Sequence, residues 1–151
     1  MLVGTRKGRF LRSDDAGEAW RDSSSGLDGA GYRVFTFVPN PFRPGRWYLG
    51  TCNGGFWRSD DGGLTCTKEG GITMPPSVNA LLTDNRVQGR LYAGTSAGPV
   101  VSDDSGETWR PLGQGLEGIE VLSLAFGAPG GALFAGTWTA EVGVHRLEKW
   151  Q

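Results

Sequence analysis

The 151-residue sequence predicts an all-β chain built from a repeated unit of short antiparallel strands. Glycine accounts for 26 of the 151 residues, about 17% against a usual ~7%, while apolar residues hold at 38%. Seven Phe, six Trp and three Tyr accompany them. The glycines follow no three-residue period, which excludes collagen, and this aromatic content excludes a disordered chain. Many glycines with many aromatic and β-branched residues is the composition of an all-β protein with frequent tight turns.

The repeat is visible by eye. A Gly-Thr pair follows an apolar residue at Val3-Gly4-Thr5, Leu49-Gly50-Thr51, Ala93-Gly94-Thr95 and Ala135-Gly136-Thr137, with the glycines 46, 44 and 42 residues apart. A second motif keeps a fixed offset from the first. It reads Ser13-Asp14-Asp15-Ala16-Gly17-Glu18-Ala19-Trp20, then Ser59-Asp60-Asp61-Gly62-Gly63-Leu64-Thr65-Cys66, then Ser102-Asp103-Asp104-Ser105-Gly106-Glu107-Thr108-Trp109. Chance does not place two motifs in one register three times.

Each unit parses into strands in the same order. An apolar or alternating run opens it: Val34 to Val38, Val78 to Leu82, Val121 to Phe126. A turn rich in Pro, Gly, Asn and Asp follows, as in Pro39 to Gly45 or Asp84 to Gly89. A second strand ends on the Gly-Thr pair, a third (Gly55 to Arg58 in one unit) leads into the Ser-x-Asp motif, and a fourth leaves it. Four strands in about 43 residues is the size of one propeller blade. A helical repeat of that length would place apolar residues three and four apart, a spacing these units lack. The expected architecture is therefore a β-propeller of four-stranded antiparallel blades.

The Ser-x-Asp-x-Gly-x-Thr-Trp pattern resembles the Asp-box, or bacterial neuraminidase repeat. In that family the motif closes the hairpin between the third and fourth strands of a blade. The resemblance implies structural roles for Ser13, Asp15, Gly17 and Trp20; for Ser59, Asp61, Gly63 and Thr65; and for Ser102, Asp104, Gly106, Thr108 and Trp109. The Asp accepts backbone N–H bonds across the turn, the Gly tolerates φ > 0, and the Trp packs between blades. The third copy matches fully, the first has Ala19 in place of Thr, and the second has Cys66 in place of Trp. Asp-boxes occur in sialidases, xyloglucan-degrading enzymes, sortilin-like receptors and photosystem II assembly factors, so the motif speaks for fold more than for function.

The whole chain reads as one segment of repeat units, about 2–48, 49–92, 93–134 and a partial 135–151. Three Asp-box units and a partial fourth make a half-ring, or a ring closed between chains. A propeller must close to hide its edges, so self-association as a homodimer is one expectation and a longer gene product the other.

The loops between second and third strands share a propeller face with the interblade connections. That face would carry Arg6, Lys7, Asn53, Ser96, Trp138 and Glu141, with Asp28, Tyr32, Arg33 and Ser77 from the connections. Trp138 has the chemistry to stack on a sugar ring or a partner side chain. The paired acids Asp14-Asp15, Asp60-Asp61 and Asp103-Asp104 lack the Asp-x-Asp-x-Asp spacing of a calcium loop, and one histidine with two cysteines supplies no metal cluster, so no metal or cofactor is expected. Cys52 and Cys66, on second and fourth strands, sit two sheet spacings apart and are expected as free thiols.

Lys and Arg number 15 and Asp and Glu 16, a net charge of −1 that argues against nucleic acid or an anionic membrane as partner. No apolar run approaches the roughly 20 residues of a membrane helix, and no signal peptide is visible, so the expected compartment is the cytoplasm. No nucleophile turn partners His145, and no Arg-Ile-Pro segment of a sialidase is present. A glycosidase pair would have to be Glu141 with Asp28, which nothing in their spacing supports. The expected function is a non-catalytic binding or scaffold module that engages a glycan or a protein on its loop face. Part of a glycoside hydrolase of the sialidase or xyloglucanase type, and a purely structural repeat unit, are the alternatives.

Overall fold

The computed structural model describes residues 1–23, 25–27, 33–69, 75–113, 115–127, 132–138 and 143–148. Among these, all regular structure is β. The first sheet holds β1 (Leu2–Gly4), β2 (Phe10–Arg12) and β3 (Arg21–Asp22). The second holds β4 (Val34–Pro39), β5 (Trp47–Thr51), β6 (Gly55–Ser59) and β7 (Thr67–Glu69). The third runs β8 (Val78–Thr83), β9 (Leu91–Thr95), β10 (Gly98–Ser102) and β11 (Arg110–Pro111). The fourth is β12 (Val121–Phe126), β13 (Leu133–Thr137) and β14 (Val144–Glu148). Within each sheet the described strands pair antiparallel with their chain neighbours, the up-and-down meander of a blade.

The blades follow one another around an axis lined by β4, β8 and β12, which pack side by side. Among the described residues the arc is open: the fourth sheet packs on the third, and the first sheet on the second. What lets the blades approach is the glycine of each Gly-Thr pair. A Cβ on Gly4 would lie 2.7 Å from Val34, one on Gly50 2.6 Å from Val78, and one on Gly94 2.7 Å from Val121. Each glycine is thus a socket for the valine that opens the next inner strand. This explains why the two residues recur in step: neither works without the other.

The aromatic residues fill the same contacts between blades. Tyr48, Phe56, Val78, Leu81, Leu91, Ala93, Val100 and Trp109 form the core between the second and third blades. Each of the larger aliphatic and Phe side chains among them contributes roughly 1.5–3 kcal/mol of apolar burial. Between the first and second blades Phe10, Leu27, Val34, Leu49, Trp57 and Cys66 play that part. Cys66 stands where the third unit has Trp109, and the connection from the first blade takes up the space. Cys66 N–H donates to Ser25 O at 2.8 Å, and Leu27 is buried beside it. Cys52 and Cys66 are both free thiols.

The three acidic turns join third to fourth strands and are wired alike. The Ser13, Ser59 and Ser102 hydroxyls donate to Asp15, Asp61 and Asp104 at 2.7, 2.8 and 2.7 Å. The same hydroxyls accept from Gly17, Gly63 and Gly106 N–H at 2.8, 2.9 and 2.9 Å. The carboxylates then take the amides of Ala19, Thr65 and Thr108 at 3.0, 2.9 and 2.9 Å. The preceding aspartates hold arginines instead: Asp60 binds Arg46 and Arg58, and Asp103 binds Arg90 and Arg110. These carboxylates are consumed by the fold.

Trp20 departs from the pattern. Its indole N–H donates to Gly17 O at 3.1 Å, as that of Trp109 does to Gly106 O at 3.1 Å. Yet Trp20 is 39% exposed and Trp109 5%, because Trp109 packs on Phe56 of the preceding blade and, among the described residues, no sheet stands in that place beside the first.

Candidate functional site: the loop face

At the end of the arc opposite the acidic turns, β1–β2, β5–β6 and β9–β10 loops meet the connections between blades. The β5–β6 turn carries Asn53 in the left-handed region, φ 58°, a conformation that asparagine tolerates better than most residues. Asn53 N–H donates to the Ser77 hydroxyl at 3.0 Å, and that hydroxyl donates to Asn53 Oδ1 at 3.2 Å. Ser96 N–H donates to Ser77 O at 3.1 Å. Ser77 is buried, so it ties the loops of two blades together from beneath, leaving Asn53 exposed above it. Three residues expected on this face from the sequence are therefore one linked cluster.

Arg33 lies exposed beside them, its carbonyl accepting Cys52 N–H at 2.9 Å. Trp138 is 72% exposed, with its backbone N–H donating to Glu120 O at 3.1 Å. Arg6 and Lys7 stand exposed on the β1–β2 turn, which Thr5 N–H to Arg9 O closes at 2.8 Å. The Arg9 and Arg12 of the same basic run are committed, to Asp22 and to Asp14. Tyr32, Glu141 and Asp28 lie outside the described residues.

Three residues at the mouth escape a reading by sequence. Each inner strand carries a bulge at its second residue: Phe35 between Val34 and Thr36, Asn79 between Val78 and Ala80, Leu122 between Val121 and Ser123. A bulge re-aims its side chain and leaves it without a cross-strand neighbour. Phe35 and Leu122 are accordingly exposed large apolar groups on the inner strands. Asn79 bridges blades, its amide donating to Glu120 Oε1 at 3.2 Å and Val121 O at 3.0 Å. The only hint in the sequence is that all three follow the socket-filling valine. The mouth thus combines exposed aromatic and apolar groups with a fixed rim of amide and hydroxyl groups, which suits binding. Among the described residues no group of three or more His, Cys, Asp or Glu is placed to hold a metal, and no helix is long and apolar enough to cross a membrane.

Comparison with solved structures settles the architecture. The GH74 enzyme of Niastella koreensis superposes with a TM-score of 0.73 at 17% identity, over 99% of this chain and 26% of that one. The fold is a β-propeller segment. The GH74 xyloglucanase of Xanthomonas campestris gives 0.68 at 20% identity, covering 90% of this chain and 24% of its own. YCF48 bound to D1 peptide gives 0.67 at 19%, covering 96% and 50%. The computationally designed Ika4 protein gives 0.64 at 18%, covering 97% and 84%. The chain thus spans about a quarter of the two GH74 enzymes and half of YCF48. Neither a family model nor a curated protein matches the sequence significantly.

Proposed function

We propose that this propeller segment is a non-catalytic binding module whose loop face engages a protein segment, with Trp138, Arg33, Asn53 and Ser96 as contact residues and Arg6, Lys7, Tyr32 and Glu141 as further candidates. The observation that carries this reading is the exposure of Trp138, Phe35 and Leu122 around a rim held in place by Ser77. Exposed aromatics on rigid supports are what interfaces use as anchors. The peptide-bound YCF48 structure is consistent with a protein ligand on this fold. A glycan is the second reading, favoured by the indole of Trp138 and by the GH74 neighbours, and part of a glycoside hydrolase is the third. The acidic turns support an Asp-box assignment, since their aspartates bond as turn caps and face away from the mouth.

Trp138→Ala is the test, with binding of a peptide library and of xyloglucan oligosaccharides measured side by side. A peptide lost at least tenfold in affinity by the variant supports the proposal. Tight oligosaccharide binding, or turnover of a fluorogenic glycoside, overturns it in favour of the second or third reading.

Self-association belongs to the same proposal. The Gly136 socket faces the open side of the fourth blade, where an added Cβ would come closest to Ser123 of its own sheet. Val144, paired with Gly136, is exposed on that side, as Trp20 is at the other end. A second copy placing its first blade there would cover this face, without an inner-strand valine of its own for the Gly136 socket among the described residues. Light scattering is expected to give twice the 16.1 kDa chain mass, reverting toward the monomer in Trp20→Glu.

A further inference from the structure

Three blades carry the same backbone joint at the mouth and dress it differently. Cys52, Ser96 and Trp138 N–H donate to Arg33, Ser77 and Glu120 O at 2.9, 3.1 and 3.1 Å. In each unit the donor follows the Gly-Thr pair and the acceptor precedes the socket-filling valine. The bulged residue stands two places beyond the acceptor, as Phe35, Asn79 or Leu122. The scaffold is constant, while the side chains it offers change from the cationic Arg33 of the second blade to the anionic Glu120 of the fourth.

Where the third blade meets the fourth, the polar side chains have acceptors to spare. The Asn79 amide nitrogen donates to Glu120 Oε1 at 3.2 Å and to Val121 O at 3.0 Å. Both partners can only accept, which fixes the carboxamide with Oδ1 turned away from them. Among the described residues Asn79 Oδ1 then meets no donor, and Glu120 no lysine or arginine. Asp22, Asp60 and Asp103, by contrast, each hold an arginine. Trp138 lies across from Glu120, one step beyond the Val121–Thr137 pair. Opposed residues of an antiparallel pair put their side chains on the same face, so the exposed indole stands on the carboxylate's side of the sheet.

We infer that Glu120, Asn79 and Trp138 form a receptor for a basic side chain, the lysine ammonium or arginine guanidinium of a protein segment crossing the loop face. This role rests on the protein-binding reading of that face and specifies the chemistry of the segment. An ammonium or guanidinium carries donors and no acceptor, which matches the Asn79–Glu120 pair, with acceptors left over and its amide hydrogens already used. The positive charge meets the carboxylate, and the indole beside it adds a cation–π contact. Phe35 and Leu122, both exposed on neighbouring inner strands, suit apolar neighbours of that basic residue. A neutral sugar could stack on the indole but would leave the Glu120 charge unmatched.

The probes are capped peptides Gly-Leu-X-Leu-Gly, with lysine, arginine or norleucine at X, titrated into the intact chain. Binding is followed by nuclear magnetic resonance at the Trp138 indole N–H, its signal identified by loss in Trp138→Phe. The lysine and arginine peptides are expected to bind about fivefold or more tightly than the norleucine peptide, a preference that fades at high salt. Glu120→Gln keeps an acceptor for Asn79 and removes the charge, so it should erase the preference with strand content retained by circular dichroism. Equal affinity for the lysine and norleucine peptides, or a preference that survives Glu120→Gln, overturns the inference. Library peptides without a basic residue, weakened by Trp138→Ala and indifferent to Glu120→Gln, overturn it alone and leave the protein reading intact. If library and probe peptides alike fail to bind, both fall. Binding of xyloglucan oligosaccharides that Glu120→Gln removes overturns both in favour of a sugar.

Discussion

The ring of Phe56 in the second blade meets the ring of Trp109 in the third edge to face, with centroids 5.1 Å apart. The turn beneath them is shaped for it. A Cβ on Gly106 would lie 2.3 Å from Phe56, and Gly106 has φ 94°, so both space and backbone exclude a side chain there. Trp109→Ala is expected to cost about 3–5 kcal/mol, because it empties a buried site between two rigid sheets. Trp20→Ala removes the same indole from the same turn and is expected to cost about 1 kcal/mol or less in the monomer, its face being exposed. Urea denaturation of the two variants measures the difference.

Gly50 gives a second contrast. An added Cβ would meet Val78 Cγ1 at 2.6 Å and Val78 O at 2.7 Å, and backbone cannot swing away. Gly50→Ala should therefore destabilise by about 1–3 kcal/mol through overpacking. In Gly136→Ala the close neighbour is the Ser123 hydroxyl at 2.4 Å, the end of a side chain able to rotate. That substitution is expected within about 0.5 kcal/mol of the parent in the monomer. Equal losses in thermal melts of both would show that the glycines serve the strand itself rather than the contact between blades.

These pairs also show what a reading of the sequence reaches. The recurrence of Gly50 and Asp61 in their motifs is legible because turn chemistry and strand alternation are local, set by residues within a few positions. Ser77 could be placed on the loop face but not recognised as the bond between Asn53 and Ser96, since that depends on how two blades meet. The bulges at Phe35, Asn79 and Leu122 were hidden for a related reason. A bulge is a property of two strands in register, and the alternation of one strand carries no sign of the extra residue. Trp20 and Trp109 hold the same motif position, and what separates their burial is the blade that packs on Trp109.

The two thiols should react differently. Burial, with a contribution from the nearby Asp61 charge, pushes the Cys66 pKa up to about 12. Thiolate is the reactive form, so at about pH 8 Cys66 is expected to resist N-ethylmaleimide until the protein unfolds. Cys52, half-buried at the end of β5, should be modified first. Mass spectrometry of the native protein is expected to show one adduct, on Cys52, and two adducts in denaturant. Early labelling of Cys66 would mean that the Ser25–Leu27 segment does not cover it in solution.

The acidic turns set the response to low pH. Burial raises the pKa of Asp61, but the Thr65 hydroxyl and amide, with Ser59 and the Leu64 amide, outweigh it and hold the carboxyl at about 2, against 3.8 ordinarily. Asp104 is lowered in the same balance, burial again opposed by Thr108 and Ser102, and Asp15 is lowered chiefly by the Ala19 amide. A folded-state pKa below the unfolded value means that the unfolded chain binds protons first. The stabilisation is then complete above about pH 5 and disappears as the pH falls through the folded values. Acid unfolding followed by circular dichroism is expected to steepen between about pH 4 and pH 2, where these carboxylates must give up their amide bonds. Asp61→Asn keeps an acceptor oxygen but cannot titrate, so it should lower stability at neutral pH and flatten that decline. A decline as steep as in the parent would place the acid sensitivity elsewhere, in the Arg46–Asp60 and Arg90–Asp103 pairs, whose aspartates are lowered as well.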